Sequence, residues 1–189
     1  LEGLFAPELA PELDGHSIRV DERYQTSIPH VYAIGDVSSK VQLAHMASAQ
    51  GTAFAELLCG GQSDVDMNVV PSCIYSRPEI AVVGLSEQEA KEAGIPAKSG
   101  KCVLGGNART VIIEGDRCLM KVVARTDNHQ IIGAQLMCEH STDMISELAQ
   151  AIANHLTAEQ VLRAMRPHPT FEEALTDALE NLLEKLNNN

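Results

Sequence analysis

Near residue 140 the hydrophobic period of this chain changes, and that change constrains its fold more than any other feature. Before it, apolar residues fall in short runs of strand length. Residues 118–125 and 131–138 flank the polar stretch 126–130, which predicts a β-hairpin. After it, Met144, Ile145, Leu148, Ala149, Ile152, Ala153 and Leu156 recur at three- and four-residue spacing, the mark of one apolar helix face. Leu175, Ala178, Leu179, Leu182 and Leu186 predict a last helix in the same way. Strands first and helices late imply an α+β domain, an antiparallel sheet with helices on one face.

Turn and cap residues divide the rest. Shorter strands are predicted at 69–75 and 79–83, around a Ser76-Arg77-Pro78 break. Ser86 with Glu89, Thr157 with Gln160, and Thr170 with Glu173 have the spacing of a capping box, in which a hydroxyl and a carboxylate or amide satisfy each other's backbone N–H groups at a helix start. The first thirty residues are irregular, with Pro7, Pro11, Gly15 and Pro29, and read as the end of something longer. A strand at 31–34 closed by Gly35-Asp36 and a helix over 43–58 ended by Gly60-Gly61 then form a strand-helix unit. The polar segment 62–68 separates the two parts, so the expected domains are 1–66 and 67–189.

Charge and composition narrow the function classes. The 189 residues carry 14 Lys+Arg against 26 Asp+Glu, a net charge of -12, which removes the attraction that non-specific binding to nucleic acid or an anionic membrane needs. No apolar run approaches the roughly 18 residues of a membrane span. The first residues also lack a basic segment followed by an apolar one, so a cytoplasmic location is expected. The five cysteines are dispersed without a C-x-x-C pair and read as free thiols. The histidines show no metal-ligand spacing, and no metal is expected.

Three segments carry chemical information. Asp36, after a glycine at the end of the apolar run 31–34, is placed to accept hydrogen bonds from ligand hydroxyls, or simply to end a strand in a turn. Leu43, Ala44 and His45 open a helix whose N–H groups and positive dipole suit an anionic or electron-accepting group, as any helix start does. Pro167 and Pro169 restrict His168, and Glu173 lies close enough in sequence to orient its imidazole as a general acid/base pair. The plain alternative is that Glu173 only caps the helix with Thr170 and His168 is a loop residue.

Taken together, T-S-I-P-x-V-Y-A-I-G-D-V, the L-A-H helix start, V-P-S-C-I-Y-S-R-P-E-I-A-V-V-G-L-S-E and P-H-P-T-F-E-E occur in an order that resembles the C-terminal part of the flavin-dependent pyridine nucleotide:disulfide oxidoreductases. The resemblance covers nearly the whole chain and is greatest to the branch that oxidises dihydrolipoamide. It implies that residues 1–66 are the end of the FAD/NAD-binding region, an α/β domain, and that 67–189 form the dimerisation domain. It further implies that Asp36 holds the ribityl chain of FAD, that Leu43, Ala44 and His45 lie beside the flavin ring, and that His168 is the base serving the dithiol with Glu173 as its partner. NAD as electron acceptor, a homodimer, and the lipoyl domains of a 2-oxo acid dehydrogenase complex as partners follow from the same resemblance. A glutathione-reductase-like enzyme or a non-catalytic dimerisation module are the alternatives.

The departures are specific. The G-x-G-x-x-G loop for the FAD pyrophosphate, the C-x-x-x-x-C redox pair and the second Gly-rich loop for NAD are not in this sequence. These 189 residues alone are therefore expected to be inactive and to bind FAD weakly or not at all. Cys138-Glu139-His140-Ser141 stands where the resemblance leads one to expect small residues.

Overall fold

A computed structural model of the chain describes Leu1, residues 3–115 and residues 118–188. The chain divides into two compact units, Leu1–Met67 and Asn68–Asn189.

In the first unit a short hairpin, β1 (Leu13–Asp14) and β2 (Ser17–Ile18), precedes a 3-10 turn at Gly35–Val37 and the helix α1 (Ala44–Leu58). The regular strand expected at 31–34 does not form. Tyr32 makes an isolated antiparallel bridge with Gln25, and Ala33 N–H donates to Tyr24 O at 3.0 Å. A strand becomes regular when a neighbouring strand continues the ladder over several residues. Val31 N–H turns back to Ile28 O at 3.1 Å while Val31 O accepts the Thr26 N–H at 2.9 Å, so the segment bonds within its own turn.

The second unit contains β3 (Ser72–Ile74), β4 (Ile80–Gly84), α2 (Glu87–Glu92), β5 (Ala97–Val103), α3 (Ala108–Ile112), β6 (Leu119–Arg125), β7 (Ile131–Met137), α4 (Ser141–Ala153), α5 (Ala158–Leu162) and α6 (Glu173–Asn187). The strands form one antiparallel sheet in the order β3-β4-β7-β6-β5. The predicted hairpin is the centre of this sheet, with a register shift between Val123 and Ala124. One face carries Ala81, Val83, Met120, Val122, Ala134 and Leu136, all buried. The α4 residues Ile145, Leu148 and Ala151 and the α6 residues Leu175, Ala178, Leu179, Leu182 and Leu186 complete a single core with that face. The fold class is thus the one the change of period implies.

β5 has no sequence signature because it is an edge strand. Lys98 and Lys101 lie on it, and lysines there discourage pairing with a further strand. Its Gly100 lies directly under α6, where no side chain would fit. The capping boxes at Ser86 and Thr157 are both complete and open α2 and α5.

Candidate functional site

In the first unit, Asp36 sits in the Gly35–Val37 turn with an exposed side chain. Gly35 has φ 70° and is buried against α1, so that an added Cβ would lie 3.0 Å from the Ala47 Cβ. Its N–H donates to the buried Gln50 Oε1 at 2.7 Å. This clamp seats the turn on α1, and the Gln42 amide donates to Asp36 O at 3.4 Å. Leu43 is the N-cap of α1 and offers no side-chain acceptor to the first turn, which Ala44 and His45 begin. Asp36, Leu43, Ala44 and His45 are therefore brought to one end of α1, a turn-and-helix arrangement that can accept a polar ligand chain and an anionic or electron-accepting ring edge.

In the second unit, the connection from α5 to α6 places His168 and Glu173 in contact. His168 Nδ1 lies 2.8 Å from Glu173 Oε1, and the Thr170 N–H donates to Glu173 Oε2 at 2.9 Å. The Thr170 hydroxyl donates to Pro167 O at 2.8 Å, closing a ring of contacts around the His168–Pro169 peptide, which is cis. These two hydrogen bonds, the Thr170 N–H first and the imidazole second, hold the Glu173 carboxyl below the usual glutamate range. The His168 side chain is 70% exposed, so with Nδ1 directed at the carboxylate, Nε2 remains reachable for proton transfer.

Glu173 makes contacts of both kinds considered for the Thr170-Phe171-Glu172-Glu173 segment. Glu173 does accept the Thr170 N–H, as in a capping box, but its other oxygen serves the imidazole. The reciprocal half of the box is missing. The Thr170 hydroxyl donates to Pro167 O, and α6 starts only at Glu173, with Glu172 as N-cap and no side-chain cap bond.

The loop is held from both sides by contacts that no local pattern announces. Arg166 donates to Glu147 Oε1 on α4 at 2.5 Å and to Thr176 Oγ1 on α6 at 3.2 Å. Asn107, the N-cap of α3, accepts the Thr110 N–H and donates from its amide to Thr170 O at 2.9 Å. The start of α4 depends on another distant residue. His140, its N-cap, has φ 62° and no side-chain cap, and Glu79 Oε2 instead accepts the Thr142 N–H at 3.0 Å and its hydroxyl at 2.7 Å. The segment 138–141 thus tolerates a histidine in a left-handed conformation, while Cys138 is fully buried behind it.

No disulfide joins the five cysteines. Burial first, then the neighbouring Cys118, Glu79 and Glu139 charges, push the Cys138 thiol up to about 12. Burial and Asp177 push Cys102 up to about 11. Neither is suited to be a thiolate nucleophile. Among the described residues no cluster could hold a metal ion, and no helix is long and apolar enough to cross a membrane.

Comparison with known proteins places the chain in a family. The pyridine nucleotide-disulphide oxidoreductase dimerisation domain matches residues 70–179, and the pyridine nucleotide-disulphide oxidoreductase domain matches residues 6–51. The chain belongs to the pyridine nucleotide-disulphide oxidoreductase family, whose members are FAD-dependent enzymes. It is similar to the mitochondrial dihydrolipoyl dehydrogenase of Homo sapiens, 37% identical over 94% of this chain and 35% of that protein. It is also similar to the dihydrolipoyl dehydrogenase of Geobacillus stearothermophilus, 38% identical over 86% of this chain and 35% of the relative. Among solved structures, LpdA from Mycobacterium tuberculosis superposes with a TM-score of 0.80 at 26% identity, covering 89% of this chain and 37% of that one. The chain spans about a third of the length of the curated relatives it matches.

Proposed function

We propose that the chain is the C-terminal part of a dihydrolipoamide dehydrogenase, in which it supplies a dimer interface and the base for dithiol oxidation. The observation that carries this reading is the His168–Glu173 hydrogen bond of 2.8 Å, with the imidazole otherwise exposed. The thiolate, not the thiol, attacks a disulfide, so a base must take the dithiol proton. His168 Nε2 takes that proton while Glu173 holds the Nδ1–H and supports the imidazolium. The acceptor disulfide belongs to the complete enzyme, since the cysteines of this chain form no redox pair.

The first unit fits FAD in kind. Asp36 would accept from the ribityl hydroxyls, and Leu43, Ala44 and His45 would present the start of α1 to the ring, with a leucine and not a polar side chain at the N-cap. When bound, FAD supplies the two-electron relay between the disulfide and NAD. Its pyrophosphate has no Gly-rich loop in this sequence, so these residues by themselves hold it weakly. Two copies pairing through the dimerisation domain, with lipoyl domains of a 2-oxo acid dehydrogenase complex as the dithiol carrier, complete the proposal. The apolar α3 residues Val111 and Ile112, 63% and 59% exposed, support burial against a second copy.

Steady-state kinetics of His168→Ala in the full-length enzyme test the assignment. Dihydrolipoamide oxidation is expected to fall by about 10²- to 10⁴-fold, with flavin content and dimerisation unchanged. Activity within about threefold of the parent, far below that range, would leave His168 an ordinary loop residue.

A further inference from the structure

We infer that Arg166 is a positioning residue for His168, an inference that rests on the reading of His168 and Glu173 as a base and its partner. Every residue from Arg163 to Pro169 is exposed except Arg166, so the loop bearing the imidazole has almost no apolar packing to fix it. The Arg166 side chain is only 5% exposed. Its guanidinium joins the loop to two helices at once, through Glu147 on α4 and Thr176 on α6, and a further N–H donates to Ala164 O at 3.3 Å.

The choice of anchor on α6 matters. Thr176 stands three residues after Glu173, one helical turn along the same face. A loop tied to Thr176 is therefore tied to the turn that carries the His168 partner, and the Glu147 contact fixes both against α4. Hydrogen bonds weaken steeply as they lengthen or bend, so slack in this tether acts directly on the 2.8 Å contact between Nδ1 and Oε1. Only a planar fork of donors can span both helices; a lysine ammonium, a point charge, reaches one or the other. The buried Nε has no hydrogen-bond partner among the described residues, so the guanidinium is held by its two forked ends and not by a general polar nest.

The test is ring ¹⁵N spectroscopy of His168 in the purified chain at a pH where the imidazole is neutral. The parent is expected to carry its proton on Nδ1, with the lone pair on Nε2. Glu173→Ala is the reference and should lose that preference. Arg166→Met, which fills the same space without donors, should lose it as well, Arg166→Lys should not restore it, and Thr176→Val should weaken it. A purely structural Arg166 would lower the melting temperature and leave the tautomer alone. If Glu173→Ala loses the Nδ1–H form while the Arg166 and Thr176 variants keep it, the inference is overturned. If Glu173→Ala keeps it too, the His168–Glu173 reading itself falls and takes this one with it. Should Arg166→Met not fold, Arg166→Lys and Thr176→Val decide by the same criterion.

Discussion

Gly100→Ala is a severe substitution for a single methyl group, because of where β5 meets α6. A Cβ on Gly100 would lie 2.1 Å from Ala178 O, 2.4 Å from Leu182 N and 2.5 Å from Leu182 Cβ. Carbon-to-oxygen contacts settle near 3.3 Å or a little above, about 1.2 Å further apart than this. The first two of these atoms belong to the helix backbone and not to the end of a flexible side chain, so α6 must withdraw as a body by about 1 Å. A radial gap of that size forfeits about a quarter to a half of each dispersion contact along the seam. Ala178, Leu179 and Leu182 are fully buried there. Overpacking of this kind costs about 1–3 kcal/mol, occasionally more. The entropic gain of Gly→Ala in the unfolded chain is only about 0.4–1 kcal/mol, so destabilisation wins. At about 2–4 °C per kcal/mol for a chain of this length, a net loss near 2 kcal/mol lowers the melting temperature by roughly 4–8 °C. Thermal unfolding followed by far-UV circular dichroism measures it. Gly105→Ala is the control, since nothing lies within 4 Å of its added Cβ. A Gly100→Ala melting temperature equal to that of the control would refute the reasoning.

Glu79→Ala removes the acceptor at the start of α4 and should cost about 0.5–2 kcal/mol, the usual loss for a helix cap. The Thr142 hydroxyl first, and its N–H second, hold the Glu79 carboxyl below its ordinary range, so its contribution is full above the unfolded value of about 4.3. That contribution is lost as pH falls through the depressed folded value. The stability gap to Glu79→Ala in denaturant titrations should therefore be constant near neutrality and close in acid, and a gap that widens in acid would show the sign to be wrong. Mass spectrometry after mild alkylation at pH 8 should find the exposed Cys59 modified well before the fully buried Cys138, whose thiol is pushed up to about 12; equal labelling would contradict the burial. Sedimentation at micromolar concentration should show a species of twice the 20.4 kDa chain mass, and a monomer alone would count against the proposed interface.

Within the fold, what was legible followed from interactions that span a few residues. The Ser86 and Thr157 caps form because their partners lie three positions ahead on the same nascent turn. Leu175, Ala178, Leu179, Leu182 and Leu186 of α6 are all buried as their spacing implies, and the central hairpin pairs around its polar turn. The segment 31–34 misled because an apolar run says only that a strand is possible, while a ladder needs neighbours that such a run does not name. β5 was hidden for the opposite reason, since an edge strand with Gly100 beneath a helix has little apolar period to show.

For the candidate site the division runs through single side chains. The amino-acid sequence by itself determined that a proline-flanked His168 stands near a carboxylate, because that proximity is a matter of five residues of chain. It also determined that Asp36 follows a glycine ahead of the helix at Leu43, Ala44 and His45. Only tertiary structure decided that Glu173 divides its two oxygens between the imidazole and the Thr170 N–H, so that the helix start and the acid/base pair share one carboxylate. It alone placed Glu147 and Thr176 on Arg166, Asn107 on Thr170, and Glu79 at the head of α4. The Asn107 and Glu79 bonds each join residues 63 apart in sequence, a separation over which the chain retains no memory of direction. Packing of α4 and α6 on one sheet face brings such groups within hydrogen-bond range, and burial then makes leaving them unpaired costly.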